Sequence, residues 1–173
     1  MNTGRREFFK YSAAAAMLIS GTQLSFSKNL ENGIIPDAGK SPSVQRILPK
    51  GLKKGSKVAI TASSSPTSMG EIASTIRFYK GLGCEVIIGN TILKQKNDYR
   101  YLSASDEVRA AEFMNFIMDD SIDAIICGRG GYGSSRTLRY LNLMELVNHP
   151  KILMGFSDIT SLLLAANELT GLA

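Results

Sequence analysis

From residue 57 onward the chain alternates short apolar runs with segments whose apolar residues recur every three or four positions. The runs KVAITAS (57–63), CEVIIGN (84–90), IDAIICG (122–128) and PKILMGFS (150–157) have the length and composition of strands. Between the first two, SMGEIASTIRFYKGLG (68–83) puts Met69, Ile72, Ala73, Ile76 and Tyr79 on one helical face. Ser68 and Glu71 form a capping box there, and Gly81 or Gly83 stops the helix. SASDEVRAAEFMNFIMDD (103–120) predicts a second helix, framed at its start by Ser103 and Asp106, with Val108, Ala111, Met114, Ile117 and Met118 as its buried stripe. SSRTLRYLNLMELV (134–147) reads as one or two short helices and DITSLLLAANEL (158–169) as a last one. Strands and helices alternating at this spacing imply βαβ units, hence an α/β fold: a doubly wound, mostly parallel sheet with helices on both faces.

The residues before this pattern read differently. GRREFFKYSAAAAMLISG joins paired arginines, Arg5 and Arg6, to a small apolar run too short to span a bilayer. That is the form of a twin-arginine signal peptide, read over residues 1–27, which implies the Tat export machinery as a partner and a bacterial periplasmic location. Residues 28–56, rich in Lys, Gly, Pro and Ser without a sustained period, read as a linker into a domain at 57–173.

The formal charge of +5 in 173 residues invites a nucleic-acid reading, but its placement excludes one. Residues 1–57 hold ten Lys/Arg against three Asp/Glu, while residues 58–173 hold ten against twelve. The folded part therefore has no basic footprint for DNA or RNA. One histidine and two scattered cysteines show no ligand spacing, so neither a metal nor a cofactor is expected. Cys84 and Cys127 each fall in a strand-like run, where cysteine is a small buried hydrophobe, and two cysteines define no disulfide framework.

In a doubly wound sheet, ligands sit beyond the carboxyl ends of the strands. Two glycine-rich stretches fall at such ends: GRGGYGSSR (128–136) and GFSDIT (155–160). Ser157 stands at a strand-to-helix turn, the place of a nucleophile elbow, and the Asp158 amide would face a developing oxyanion. Gly130 and Gly131 would let a second amide approach, because a Cβ there fills the space of a substrate carbonyl. Spacing leaves two alternatives open: Ser157–Asp158 as a plain helix N-cap, and GRGGYG as a phosphate-binding turn. The strict G-x-S-x-G elbow is not met, since Ile159 stands at its second glycine. A nucleotide-binding Rossmann domain needs a glycine-rich turn after the first strand, and TASSSPTS has none.

Together YLSASDEVRAAEF, AIICGRGGYGSSRTLRYLN and PKILMGFSDITSLLLA resemble the LD-carboxypeptidase family of serine peptidases, from about Leu48 onward. The resemblance implies a class I glutamine-amidotransferase-like N-terminal half joined to a smaller C-terminal domain, and metal-independent hydrolysis by a Ser-Glu-His triad. The bond would be the L,D-amide to the terminal D-alanine of a murein tetrapeptide, a peptidoglycan-derived substrate. Ser157 matches the family's nucleophile, and the oxyanion donors would be Asp158 and most naturally Gly131, beside Gly130. Tyr132 and Arg129 are candidates to line the substrate groove, with Arg129 alternatively paired to a buried carboxylate.

The Glu and His of that triad would come from the C-terminal domain, which makes this chain the N-terminal, nucleophile-bearing part and inactive alone. His149 precedes the fourth strand at the edge opposite the elbow and reads as a surface loop residue; Glu145 and Glu168 read as helix-surface charges. Apolar surface left by a missing second domain would drive aggregation or a homodimer. The rival readings are a noncatalytic peptide- or carboxylate-binding module and a microcin-type amide hydrolase. Replacing Arg5 and Arg6 together by lysine is expected to leave the precursor in the cytoplasm; cell fractionation checks this, and periplasmic protein from that variant would defeat the export reading.

Overall fold

Four strands, all parallel, form one sheet in the order β2-β1-β3-β4: β1 is Lys57–Thr61, β2 Glu85–Ile88, β3 Ile122–Cys127 and β4 Ile152–Met154. They are seen in a computed structural model that describes residues 46–95 and 99–173. The leader read over residues 1–27, and the linker up to residue 45, lie outside the described residues. Residues 46–56, the described part of that linker, run mostly exposed but are tied down at points: Ile47 bridges Leu172, Leu52 lies against the core and Ser56 is buried.

The period-2 geometry of the central strands divides the core into two layers. Val58, Ile60, Ala124 and Ile126 face one side, where they meet Ile72, Tyr79 and Ile92. Ala59, Ile125 and Cys127 face the other, against Phe113, Ile117, Leu146, Leu162 and Ala166. Three helices supply most of these partners: α1 (Ala73–Gly81) on the first face, α3 (Asp106–Met118) and α5 (Thr160–Thr170) on the second. Two single-turn helices, α2 (Asn90–Leu93) and α4 (Ser134–Thr137), and 3₁₀ turns at Leu138–Tyr140, Leu143–Val147 and Ser157–Ile159 complete the connections. The doubly wound parallel fold implied by the sequence is the fold observed.

The chain turns left from β1 to β2 and right from β3 to β4, so the winding reverses between β1 and β3. Ligands of open parallel sheets bind beyond the carboxyl ends of the strands at such a reversal. Loops 62–67 and 128–133 leave the sheet there and touch, with Ser65 N–H donating to Gly130 O at 3.3 Å. Gly155–Asp158, after β4, lies at the same end.

Two expectations about helices change. The capping box at Ser68–Glu71 forms, with Ser68 N–H donating to Glu71 at 2.7 Å, but regular helix starts only at Ala73, and Met69 is exposed. Gly70 inside the first turn weakens it. The helix ends as a left-handed cap at Gly83 (φ +78°), with Cys84 N–H donating to Tyr79 O at 3.0 Å.

In α3 the buried face is Asp106, Arg109, Ala110, Phe113 and Ile117, while Val108, Ala111 and Met118 are exposed. The apolar stripe is out of phase because a buried ion pair, Asp106–Arg109, occupies one turn of the inner face. Its N-cap is Ser105, which accepts from Val108 N–H at 3.3 Å; Ser103 instead donates to Ala62 O of the loop after β1.

The phase of α3 is directly measurable. Phe113→Ala is expected to cost about 3–5 kcal/mol of unfolding free energy, as buried Phe truncations do, and Val108→Ala under about 0.5. Urea midpoints for both variants check this, and the reverse ranking would place the other face of the helix inside.

Candidate functional site

Ser157 is the one non-glycine residue with positive φ among the described residues, at +56°. An L-residue pays roughly 1–2 kcal/mol to sit there, and such outliers persist only where the surroundings hold them. Phe156 enters extended (φ −150°, ψ 170°) and the 3₁₀ turn Ser157–Ile159 leads straight into α5, so the bend falls on Ser157 alone. Its hydroxyl does not cap this turn and has no hydrogen-bond partner among the described residues. The residue is exposed.

Gly130 explains how the other loop can lie against it. A Cβ built on Gly130 would stand 2.8 Å from both Phe156 O and Ser157 Cβ, inside any real contact distance. Gly131 (φ +110°) is equally closed to a side chain, since a Cβ would meet Ser65 Oγ at 2.1 Å. Ser65 pins this loop twice: its N–H donates to Gly130 O at 3.3 Å, and its hydroxyl accepts from Tyr132 N–H at 3.1 Å. In a trans peptide the C=O and the following N–H point in opposite directions. With Gly130 O turned to Ser65, the Gly131 N–H points away from that loop. Neither Gly131 N–H nor Asp158 N–H has a protein acceptor among the described residues.

Asp158 ties the three loops together. Its Oδ2 accepts from Ser64 Oγ of the β1 loop at 2.6 Å and from Ser134 N–H at the end of the glycine loop at 2.7 Å. Its main-chain oxygen accepts from the hydroxyls of Ser134 and of Ser161, the latter at 3.0 Å. Burial pushes the Asp158 carboxyl up, but the Ser64 hydroxyl, the Ser134 amide and hydroxyl and the Arg109 guanidinium outweigh it and hold the group below the ordinary carboxylate value.

The remaining candidates fall into place around this centre. Tyr132 is exposed, in a shallow recess with Ser135, Arg136 and Arg139. Arg129 pairs with Glu71 at 3.0 Å, and both side chains are about half exposed, 52% and 49%. Its alternative as partner of a buried carboxylate is therefore corrected: the buried carboxylate, Asp106, is taken by Arg109 and Arg136. His149 lies before β4, at the amino ends of the strands, with Nδ1 2.7 Å from Asp120. Cys127 is buried and its thiol is pushed up to about 12, so it stays protonated; both cysteines are free. Among the described residues no His, Cys, Asp or Glu cluster has metal-binding spacing. A recess of about 400 Å³ runs along the β2 edge by Gly89, Val108 and Glu112, and Ser157 is not part of its lining.

Ser64, Ser65, Ser134 and Arg109 were not singled out from sequence. The run of three serines directly after β1, at the winding reversal, was the available signal for two of them.

Asp158 generates a pH prediction. A carboxyl held below its unfolded value of about 3.9 stabilises the fold above that pH, and the contribution drains away as pH falls through the depressed folded value. Asp158→Asn is expected to cost about 1–3 kcal/mol at neutral pH. It should also flatten the loss of stability below about pH 4. Urea midpoints from neutral pH down to pH 3 check both, and a parental acid limb in the variant would remove Asp158 from the stabilising network.

A profile of the LD-carboxypeptidase N-terminal domain matches residues 58–173. The chain is 35% identical over 124 residues to a probable murein peptide carboxypeptidase of Bacillus subtilis (strain 168), covering 72% of this chain and 38% of that protein. It is 33% identical over 110 residues to the murein tetrapeptide carboxypeptidase of Pseudomonas aeruginosa, covering 63% and 35%. Among solved structures, the microcin C7 self-immunity protein MccF in complex with aspartyl sulfamoyl adenosine superposes with a TM-score of 0.66 at 27% identity, over 72% of this chain and 37% of that one. The chain thus spans less than two fifths of the length of these relatives.

Proposed function

We propose, because the chain belongs to the LD-carboxypeptidase family and carries its N-terminal domain, that it supplies the nucleophile and oxyanion hole of a serine carboxypeptidase acting on murein peptides. The observation that carries this reading is the strained Ser157, without a hydroxyl partner among the described residues, set against a glycine loop. A module that only holds a peptide has no use for a serine at positive φ, whereas an elbow that lifts a hydroxyl above a sheet requires such a bend.

In this mechanism Ser157 Oγ attacks the carbonyl of the L,D-amide before the terminal D-alanine. The carbonyl oxygen becomes an oxyanion that takes hydrogen bonds from the N–H groups of Asp158 and Gly131. The serine proton passes to a general base and then to the leaving amine of D-alanine, and water releases the acyl-enzyme. His149, hydrogen-bonded to Asp120 at the far end of the sheet, is a poor base for this step. The Glu and His of the reading belong to the part of the relatives' length that this chain does not span. Tyr132 and Arg129, both exposed on the glycine loop, are the proposed groove residues.

A second amide comes into question because MccF, solved with aspartyl sulfamoyl adenosine, shares this fold at 27% identity. The same nucleophile and amides would serve either substrate, and the choice lies with residues elsewhere in the protein.

The protein expressed from its complete reading frame is expected to release D-alanine from murein tetrapeptide. Ser157→Ala should lower kcat by about 10³ to 10⁶, the scale seen for loss of a catalytic nucleophile. Parental turnover by the alanine variant would remove Ser157 from the reaction; cleavage of an aminoacyl sulfamoyl nucleoside without D-alanine release would select the second substrate.

A further inference from the structure

Arg109 heads the fully buried side chains by volume, with 0% exposure, and has no part in the chemistry above. It reaches from α3 to the loops after β1 and β3. Its Nη1 donates to Ser63 O at 2.7 Å and to Gly133 O at 2.9 Å, its Nε to Ala104 O at 3.2 Å, and its Nη2 to Asp106. A buried ion pair is weak evidence of stabilisation, since apolar side chains of similar volume often serve a core as well or better.

The two carbonyls that share Nη1 have a particular place in the chain. Ser63 immediately precedes Ser64, and Gly133 immediately precedes Ser134. Ser64 and Ser134 are the two donors to Asp158 Oδ2. The Gly133–Ser134 peptide is therefore held at both ends, its oxygen by a guanidinium and its N–H by a carboxylate. Because a trans peptide is planar with those groups opposed, two such bonds fix its plane. Gly133 (φ +109°) also sits in a backbone region that L side chains rarely adopt, so a side chain there would strain this peptide.

We propose that Arg109 is a positioning residue: one guanidinium orients the two loop segments that grip Asp158 and thereby holds Ser157 and the Asp158 and Gly131 amides in register for the transition state. The inference rests on Ser157 being the nucleophile. Arg109 touches no substrate, so its effect falls on kcat rather than on KM. Lysine keeps the charge but cannot present the planar fork that reaches Asp106 and two carbonyls together.

The test uses the protein from its complete reading frame, with Arg109→Lys and the charge-free pair Asp106→Asn/Arg109→Met, which leaves no buried charge unpaired. Parent and Ser157→Ala run alongside. The expected result is folded variants with KM within about twofold of the parent and kcat lower by about 100-fold, the scale of one lost oxyanion donor. A peptide boronate, which forms a tetrahedral adduct on the serine, should bind more weakly by a similar factor, while the substrate-like amide does not. A folded variant with parental kcat overturns the proposal, and so does a loss confined to KM. Failure of both variants to fold would make Arg109 a structural residue and overturn it as well. If the parent itself releases no D-alanine, or Ser157→Ala is as active as the parent, it is the functional reading that fails. An active parent with a dead Ser157→Ala and a fully active Arg109→Lys sinks the positioning role alone.

Discussion

One carboxylate holds the site end of this domain together. Asp158 draws a hydroxyl from the loop after β1 and an amide from the loop after β3 onto a single oxygen, at 2.6 and 2.7 Å, while it belongs itself to the loop after β4. Loops have little to hold them beyond such bonds, because they bury few apolar groups. Hydrogen bonds to a charged acceptor are worth roughly 1.5–3 kcal/mol each, more than neutral ones. Those contacts are of the size needed to offset the backbone strain next door at Ser157, which is of order 1–2 kcal/mol. The strain and its support are thus adjacent in sequence, and the bend cannot relax without moving Asp158 away from both donors.

The sheet determines which loops can meet in this way. Parallel strands put all their carboxyl ends on one edge, and the winding reverses between β1 and β3. Loops 62–67 and 128–133 consequently leave the sheet side by side and touch, and their approach is set by the absence of side chains. At Gly130 and Gly131 a Cβ would overlap Ser157, Phe156 or Ser65. The glycines serve proximity more than flexibility: Ser65 at the first end and Arg109 at the other pin the loop they occupy.

The fold was legible in the sequence because short apolar runs, such as β3 with both of its faces buried, alternate with segments of helical period. The inner face of α3 was not, because Asp106 and Arg109 are polar residues in core positions, and a hydrophobic count reads them as solvent-facing. Once that pair is placed inside, Phe113 and Ile117 follow at helical spacing and Val108 swings out. At the candidate site, the glycine loop and the sharp strand-to-helix turn at Ser157 could be read from their places after apolar runs. Their supports were not, since Ser64, Ser65 and Ser134 are ordinary loop serines until the topology brings three strand ends together. Arg129 shows the same limit: nothing local indicated that its partner would be the capping-box Glu71, 58 residues earlier.

The proposal of Ser157 as nucleophile is supported by what its neighbours cannot do. Cys127 ends β3 where the glycine loop begins, but burial raises its thiol to about 12 and its Sγ faces Ser63, so at neutral pH it offers almost no thiolate. Ser64 and Ser134 have their hydroxyls bound to Asp158, and Ser65 gives its own to Tyr101 O at 2.9 Å. A hydroxyl already donating to a carboxylate or a carbonyl must break that bond before a base can take its proton. Ser157 alone among these combines exposure, a hydroxyl without a partner in the described residues, and two unengaged amides flanking the loop it faces.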